Sequence, residues 1–264
     1  MRILNFLFSR SKQEQDKPIR DKLKTRKDFE RVLAEDLDIM ETTKARIDTA
    51  KNINLYMYRS LSYSYILILQ SKYSVDAKID ELRDIYIKSM HYFLQAFNKR
   101  NPIYADILNY VSLGVLLNIP DNNFRQLIDY VKQMDKQAKP SGWTPDLLLW
   151  FMLNSRMKEQ EKQKYAETLA YPRLYNGLYK VIQAPNAAAA KDALCKYLDR
   201  WYNLNSNAPW YNSHLKDNSY RGYWAWEVAA VAKIMHIDDS DLKNNQYYPY
   251  DMVHWADNET TAKE

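Results

Sequence analysis

The 264-residue sequence holds only 4 glycines, 1 cysteine and 4 histidines. Glycine supplies the positive φ angles and close backbone approaches of hairpin turns and phosphate loops. So few of them exclude sandwiches, barrels and doubly wound sheets, and leave helical architectures. A lone Cys195 excludes an intramolecular disulfide and a multi-cysteine metal site. It lies in a helical pattern, Ala193-Leu194-Cys195, reads as a small packing residue and fits a reducing compartment. No stretch approaches the roughly 20 apolar residues of a membrane span. The basic, apolar start, Met1 to Phe8, has too short a run for a signal core and no small-residue cleavage site after it, so a cytoplasmic location is expected.

Also missing are a glycine-rich phosphate loop, a His-Glu-x-x-His helix and a Gly-x-Ser-x-Gly elbow. His91, His214, His236 and His254 are scattered without ligand spacing, and His91 reads as a packed histidine with one hydrogen bond. His236 and His254 flank an acidic segment, which makes them weak metal candidates. No cofactor is expected.

What is present is aromatic and helical. There are 22 tyrosines, with 46% hydrophobic and 27% charged residues, a globular balance. The net charge is +5, but residues 10–31 are rich in Lys and Arg while residues 238–264 are acidic. That asymmetry differs from an evenly basic nucleic-acid binder, and the basic run reads as a solvated helix face.

Apolar residues recur at helical spacing along the chain. Phe29, Val32, Leu33, Leu37, Met40 and Ile47 form one stripe. Residues 53–70, rich in Leu, Ile and Tyr, predict a central, nearly encircled helix broken at Lys72-Tyr73-Ser74. Ile79, Leu82, Tyr86, Met90, Phe93, Leu94 and Phe97 form an amphipathic helix ended by Asn101-Pro102. Two more follow, around residues 107–117 and 124–134. Lys139-Pro140-Ser141-Gly142 is the strongest punctuation and suggests a domain boundary. Residues 146–153 predict a buried helix and residues 158–164 an exposed stretch. Pro172 opens a helix with Leu174, Tyr175, Leu178 and Ile182. Asn186 precedes another with Ala190, Leu194, Tyr197, Leu198 and Trp201 on one face. Residues 203–219 read as a polar loop carrying Trp210 and Tyr211, and residues 220–235 as the last long helix. The expectation is an all-α protein of two packed helical parts, a bundle or irregular array. Its divisions are a basic extension (1–22), an N-terminal domain (23–139) and a C-terminal domain (143–256).

Two sites merit chemical scrutiny. Glu227 sits among aromatics near a helix start and must be paired, hydrogen-bonded or shifted in pKa. It reads as a structural carboxylate accepting from Arg221, a tyrosine hydroxyl or an indole, because no companion carboxylate lies at catalytic spacing. Asp238-Asp239-Ser240-Asp241 lacks the glycine and distant glutamate of an EF-hand. It reads instead as a cap, Asp239 or Ser240, for a short turn, with its carboxylates left exposed.

Four motifs in order are far more specific than any one. Trp210-Tyr211-Asn212-Ser213-His214, Tyr220-Arg221-Gly222-Tyr223-Trp224-Ala225-Trp226-Glu227-Val228-Ala229-Ala230-Val231, Ile237-Asp238-Asp239-Ser240-Asp241-Leu242 and Tyr247-Tyr248-Pro249-Tyr250-Asp251-Met252-Val253 resemble the C-terminal domain of the PoNi family. These are bacterial immunity proteins against PoNe-type DNase toxins of polymorphic toxin systems. Trp226 stands where the family pattern has phenylalanine. Ile66-Leu67-Ile68-Leu69 running into Lys72-Tyr73-Ser74, then Ile79-Asp80-Glu81-Leu82, is similar to the family's N-terminal domain.

The resemblance implies an all-helical, non-enzymatic protein that binds and inactivates a cognate nuclease toxin, with no direct nucleic-acid or membrane partner. Candidate partner-binding residues are Asp238, Asp239, Asp241, Tyr247, Tyr248, Asp251, Trp210 and Tyr211, since Tyr and Trp near acidic groups resemble interface hot spots. Tyr220, Arg221, Gly222, Tyr223, Trp224 and Glu227 are assigned to the fold. Complementarity acts at the patch, so a basic total charge is compatible with a local acidic contact. Two competing readings are a metal-dependent or acid/base hydrolase using Glu227, Asp238, Asp239 and His214, and a helical nucleic-acid-binding module using the basic N-terminal helix.

Overall fold

A computed structural model describes residues 18–97, 103–136, 143–216 and 218–256. Every regular element among them is helical. By proximity they group into two compact units, Met1–Phe97 with Pro209–Tyr223, and Asn98–Ala208 with Trp224–Glu264. The punctuation at residues 139–142 lies outside the described residues, as does Asn101-Pro102. The grouping follows a different course from a single linear cut, because the 209–223 excursion belongs with the N-terminal helices.

In the first unit, α1 (Arg26–Thr49) begins at Thr25, where a reciprocal capping box with Asp28 satisfies two orphan amides. Its buried residues, Phe29, Val32, Leu33 and Asp36, all lie in the first eleven. Residues 38–49 are exposed or half-buried throughout, so the stripe expected through Leu37, Met40 and Ile47 is only half covered. Asn54 caps α2 (Leu55–Ser74), which packs on both α1 and α3 (Ile79–Phe97). Two expectations for α2 fail. It is not encircled, since Tyr56 and Tyr63 are 59% and 61% exposed. It also runs straight through Lys72-Tyr73-Ser74, because buried Tyr73 and Ser74 are core residues of the helix. It ends at Ser74, and the chain turns away two residues later at Asp76, whose φ is 77°.

The C-terminal end of α2 is held by the basic N-terminal residues. Arg20 Nη1 donates to the Tyr73 and Ala77 carbonyls, both at 3.0 Å, and its guanidinium lies over the Tyr73 ring. Arg26 Nη1 donates to the Val75 carbonyl at 3.2 Å. These charges answer the helix's orphan carbonyls and negative dipole end. Arg20 and Arg26 are therefore internal ties and not part of a solvated face.

In the second unit, α9 (Trp226–Met235) is central, packing on α4 (Tyr104–Leu116), α6 (Leu147–Asn154), α7 (Pro172–Ile182), α8 (Ala187–Leu204) and α10 (Tyr250–His254). Its buried Ala229, Ala230 and Ala232 let neighbours approach closely. The C-terminal end of α4 is tied by Lys233 Nζ and Trp255 Nε1, which both donate to the Leu116 carbonyl at 3.2 and 2.8 Å. The amphipathic α5 (Asp121–Lys136) buries Phe124, Leu127, Ile128, Tyr130, Val131 and Met134. The α6 helix is buried as its composition requires. Asn186 caps α8, which buries the expected Ala190, Leu194, Tyr197, Leu198 and Trp201. A Cβ on Gly177 would meet the Tyr197 ring at 2.6 Å, so glycine sets the close α7–α8 approach.

The last long helix starts later than its apolar pattern suggests. Residues 220–225 are irregular, and Gly222 has φ 108°, a conformation closed to other residues without strain.

Candidate functional site

The family-like motifs fall into three settings. The first, in the first unit, is the excursion carrying Trp210, Tyr211 and Tyr220-Arg221-Gly222-Tyr223. Arg221 forms a buried, two-pronged ion pair with Asp36 of α1, at 2.6 and 2.8 Å. Tyr220 donates to Asp21, whose carboxyl is raised in pKa by burial against the pull of that bond. Ser74 Oγ donates to the Arg221 carbonyl at 2.8 Å. Trp210 and Tyr211 are half-buried, and the Trp210 ring packs on Tyr223, centroids 5.4 Å apart. The Tyr223 hydroxyl accepts from the His214 amide at 3.0 Å and lies 3.0 Å from its Nδ1. These bonds clamp the excursion onto α1 and α2.

The second setting surrounds Glu227. Its carboxylate accepts from the Trp201 indole at 2.6 Å. Arg221 is engaged by Asp36 instead, so the indole is the one expected donor of the three that the structure supplies. Burial pushes Glu227 up to about 7, against the lowering effect of its backbone and indole bonds. Trp201 also packs on Tyr247, whose ring stacks on Tyr202 at 5.3 Å and 6°. Ala225 N–H donates to the Tyr247 carbonyl at 2.8 Å. Trp224 is buried beside Trp226.

The third setting is the acidic loop. Asp239 is 2% exposed, accepting from the Tyr248 hydroxyl at 2.7 Å and lying 2.8 Å from His254 Nε2. It makes no cap to the 3₁₀ turn Ser240–Leu242. Instead Asp238 accepts from the Ser240 amide and hydroxyl. The expected exposure of these carboxylates therefore fails for Asp239, and Tyr248 is buried with it. Asp238 and Asp241 are exposed but share Lys191 at 2.8 and 2.7 Å, which lowers Asp238 well below the usual carboxylate range. Asp251 is exposed. His236 is exposed at the left-handed end of α9, and His91, though exposed, makes one side-chain hydrogen bond, with Gln95, and lies edge-on to the Tyr92 ring at 5.3 Å.

Glu227, Asp238 and Asp239 thus have three separate sets of partners. Among the described residues no three His, Cys, Asp or Glu side chains gather to hold a metal. No described helix is long and apolar enough to cross a membrane.

The sequence patterns did not single out the α1–α2 hairpin as a surface. Of the eight exposed large apolar residues among those described, four, Ile39, Ile53, Tyr56 and Tyr63, belong to it. None lies in the acidic loop.

The family model described as "PoNe immunity protein (PoNi), N-terminal" matches residues 12–129, and "PoNe immunity proteins (PoNi), C-terminal" matches residues 144–252. The chain belongs to the PoNe immunity protein family. As a PoNi protein it is a toxin-neutralising immunity protein and not an enzyme. The crystal structure of protein PA2201 from Pseudomonas aeruginosa has the same fold, with TM-score 0.71 and 18% identity over 93% of each chain. No curated protein matches.

Proposed function

We propose that this PoNi protein neutralises a cognate DNase toxin by forming a stoichiometric complex with it in the cytoplasm. Supporting this reading is one observation above the others: both halves of the PoNe immunity family match, in order, over residues 12–129 and 144–252. A toxin that cuts DNA endangers the chromosome beside it, so a cytoplasmic inhibitor needs affinity and no turnover. Tight inhibition of a nuclease is achieved by covering its DNA-binding cleft or distorting its active site, and the first route favours acidic side chains.

Of the candidate contact residues, Asp239 and Tyr248 are buried, and the exposed Asp238 and Asp241 share the single cation of Lys191. The test is growth of cells expressing the neighbouring toxin gene, with and without this chain, and co-elution of the purified pair. Restored growth with a 1:1 peak is expected; toxicity unchanged and separate peaks would reject the proposal.

A further inference from the structure

We propose that the uncovered stretch of the groove between α1 and α2 is a self-association surface, on which a second copy of this chain seats the same stretch about a two-fold axis near Tyr63.

The groove is already used once inside the chain. Arg221 of the 209–223 excursion pairs with Asp36 of α1, and its carbonyl accepts from Ser74 of α2, so the excursion lies across both helices. From Asp36 toward the connecting loop, Ile39, Met40, Thr43 and Arg46 follow at helical spacing. From Ser74 toward the same loop, Leu67, Tyr63, Ser60 and Tyr56 do likewise. The short loop between packed helices makes an antiparallel hairpin, so the two rows continue the groove beyond the excursion. Cover stops there. Val32 and Asp36 are buried, whereas Ile39 is 51%, Tyr56 59% and Tyr63 61% exposed.

The charges on this stretch suit a copy of itself. Glu35, Asp38, Glu41 and Asp48 are balanced by Lys44, Arg46, Lys51 and Arg59, so neither a basic cleft nor a polyanion is complementary to it. The signs are nevertheless sorted by position. Glu41, Lys44 and Asp48 alternate along the side of α1 turned away from Ile39. On the Ile39 side, Glu35 and Asp38 stand at the far end and Arg46 at the loop end, with Arg59 of α2 at a similar level and Lys51 in the loop. Measured from the loop end of α1, Glu35 lies about 21 Å up and Arg46 about 4.5 Å, which sets their midpoint at about 13 Å. Tyr63 lies about 12 Å from the loop end of α2. A two-fold axis at that level places Glu35 and Asp38 of each copy over Arg46 of the other, and Tyr63 over its own counterpart. Glu35 and Arg46 are exposed and form no ion pair or side-chain hydrogen bond among the described residues, so neither gives up a contact to pair.

The platform is preorganised. Tyr58 and Tyr65, about 200° round α2 from Tyr56 and Tyr63, both stack on Tyr92 of α3 at 6.0 Å. The opposite side of α2 is thus pinned, and little ordering remains to be done on association. Tyrosine and isoleucine at the middle with charges at the ends match the core and rim of a protein interface.

The experiment is sedimentation equilibrium of the full chain over a roughly thousandfold range of concentration. A reversible monomer–dimer equilibrium is expected. Because a two-fold axis repeats each contact, Glu35→Arg or Arg46→Glu alone should weaken the dimer roughly tenfold or more. Combining them restores opposite signs across the axis and should return the dimer to within about threefold of the parent. Tyr63→Glu brings like charges together at the axis and should leave only monomer. These side chains are exposed, so thermal unfolding of the dilute variants should match the parent, which separates association from folding. A parent that stays monomeric throughout would overturn the proposal. So would a dimer indifferent to all these variants, or a double variant weaker than either single one. Binding of a catalytically inactive form of the nuclease encoded beside the chain is followed in parallel. A monomeric parent whose Tyr63→Glu variant loses that binding would assign the groove to the toxin instead.

Discussion

Asp36 in the first unit and Glu227 in the second both have carboxylates removed from water, and they are satisfied in opposite ways. Asp36 meets the Arg221 guanidinium with two hydrogen bonds. Glu227 keeps some surface as a residue, yet its carboxylate has a neutral indole N–H as its side-chain partner, and its pKa rises to about 7. An ion pair makes the first region vulnerable to loss of either partner. Burial without a cationic partner makes the second sensitive to protons.

Breaking the first half of the comparison has the largest expected effect. Arg221→Met strands Asp36 in the interior and should destabilise the protein by about 3–5 kcal/mol, read from denaturant unfolding followed by circular dichroism. Adding Asp36→Leu should restore much of that loss, because the uncompensated charge is gone. A single variant as stable as the parent would show that the pair contributes nothing.

Next is the pH response of Glu227. Between its ordinary value of 4.5 and its folded value of about 7, the folded state keeps a proton that the unfolded state has released. This group's contribution to stability is therefore full below pH 4.5 and falls as pH rises to 7, by about 3 kcal/mol in total. Glu227→Gln should flatten that part of a stability-versus-pH curve. Asp21 and Asp146 are also raised by burial and slope the same way, so some dependence will remain.

Asp146 sharpens the contrast further. It is a buried carboxylate in the second unit, capping α6 through Leu149 N–H and accepting from Ala170 N–H and the Tyr104 hydroxyl. Asp146→Ala leaves those donors unanswered and should cost about 2 kcal/mol by the same unfolding measurement. The smallest effect is expected from Lys191→Ala, whose bonds to Asp238 and Asp241 are exposed to solvent. Its unfolding midpoint should not move measurably, and a clear shift would show the acidic loop to be structurally coupled.

The second unit was the more legible half. Asn186 followed by Ala190, Leu194, Tyr197, Leu198 and Trp201 specifies α8 with its cap and buried face, since both are encoded within a few residues. The apolar run of α6 and the alternating faces of α5 are equally local. Glu227 was legible as a constrained carboxylate, but its partner Trp201 lies 26 residues away, and nothing local distinguishes that indole from other donors. In the acidic loop the aspartates looked alike, and their division into buried Asp239 and exposed Asp238 and Asp241 depends on Tyr248, His254 and Lys191 arriving from elsewhere.

By itself the sequence determined an all-helical chain with family-specific motifs from Trp210 to Val253. Helical periodicity and capping act between residues three or four apart, and scarce glycine leaves few other folds open. The tertiary structure alone decided that Arg221 pairs with Asp36 across 185 residues and that the 209–223 excursion belongs with α1 and α2. It alone decided that the apolar stripe of α1 is buried in the first half of the helix and only half covered in the second. An amphipathic stripe encodes a face ready for burial; whether another segment covers it depends on the path of the rest of the chain.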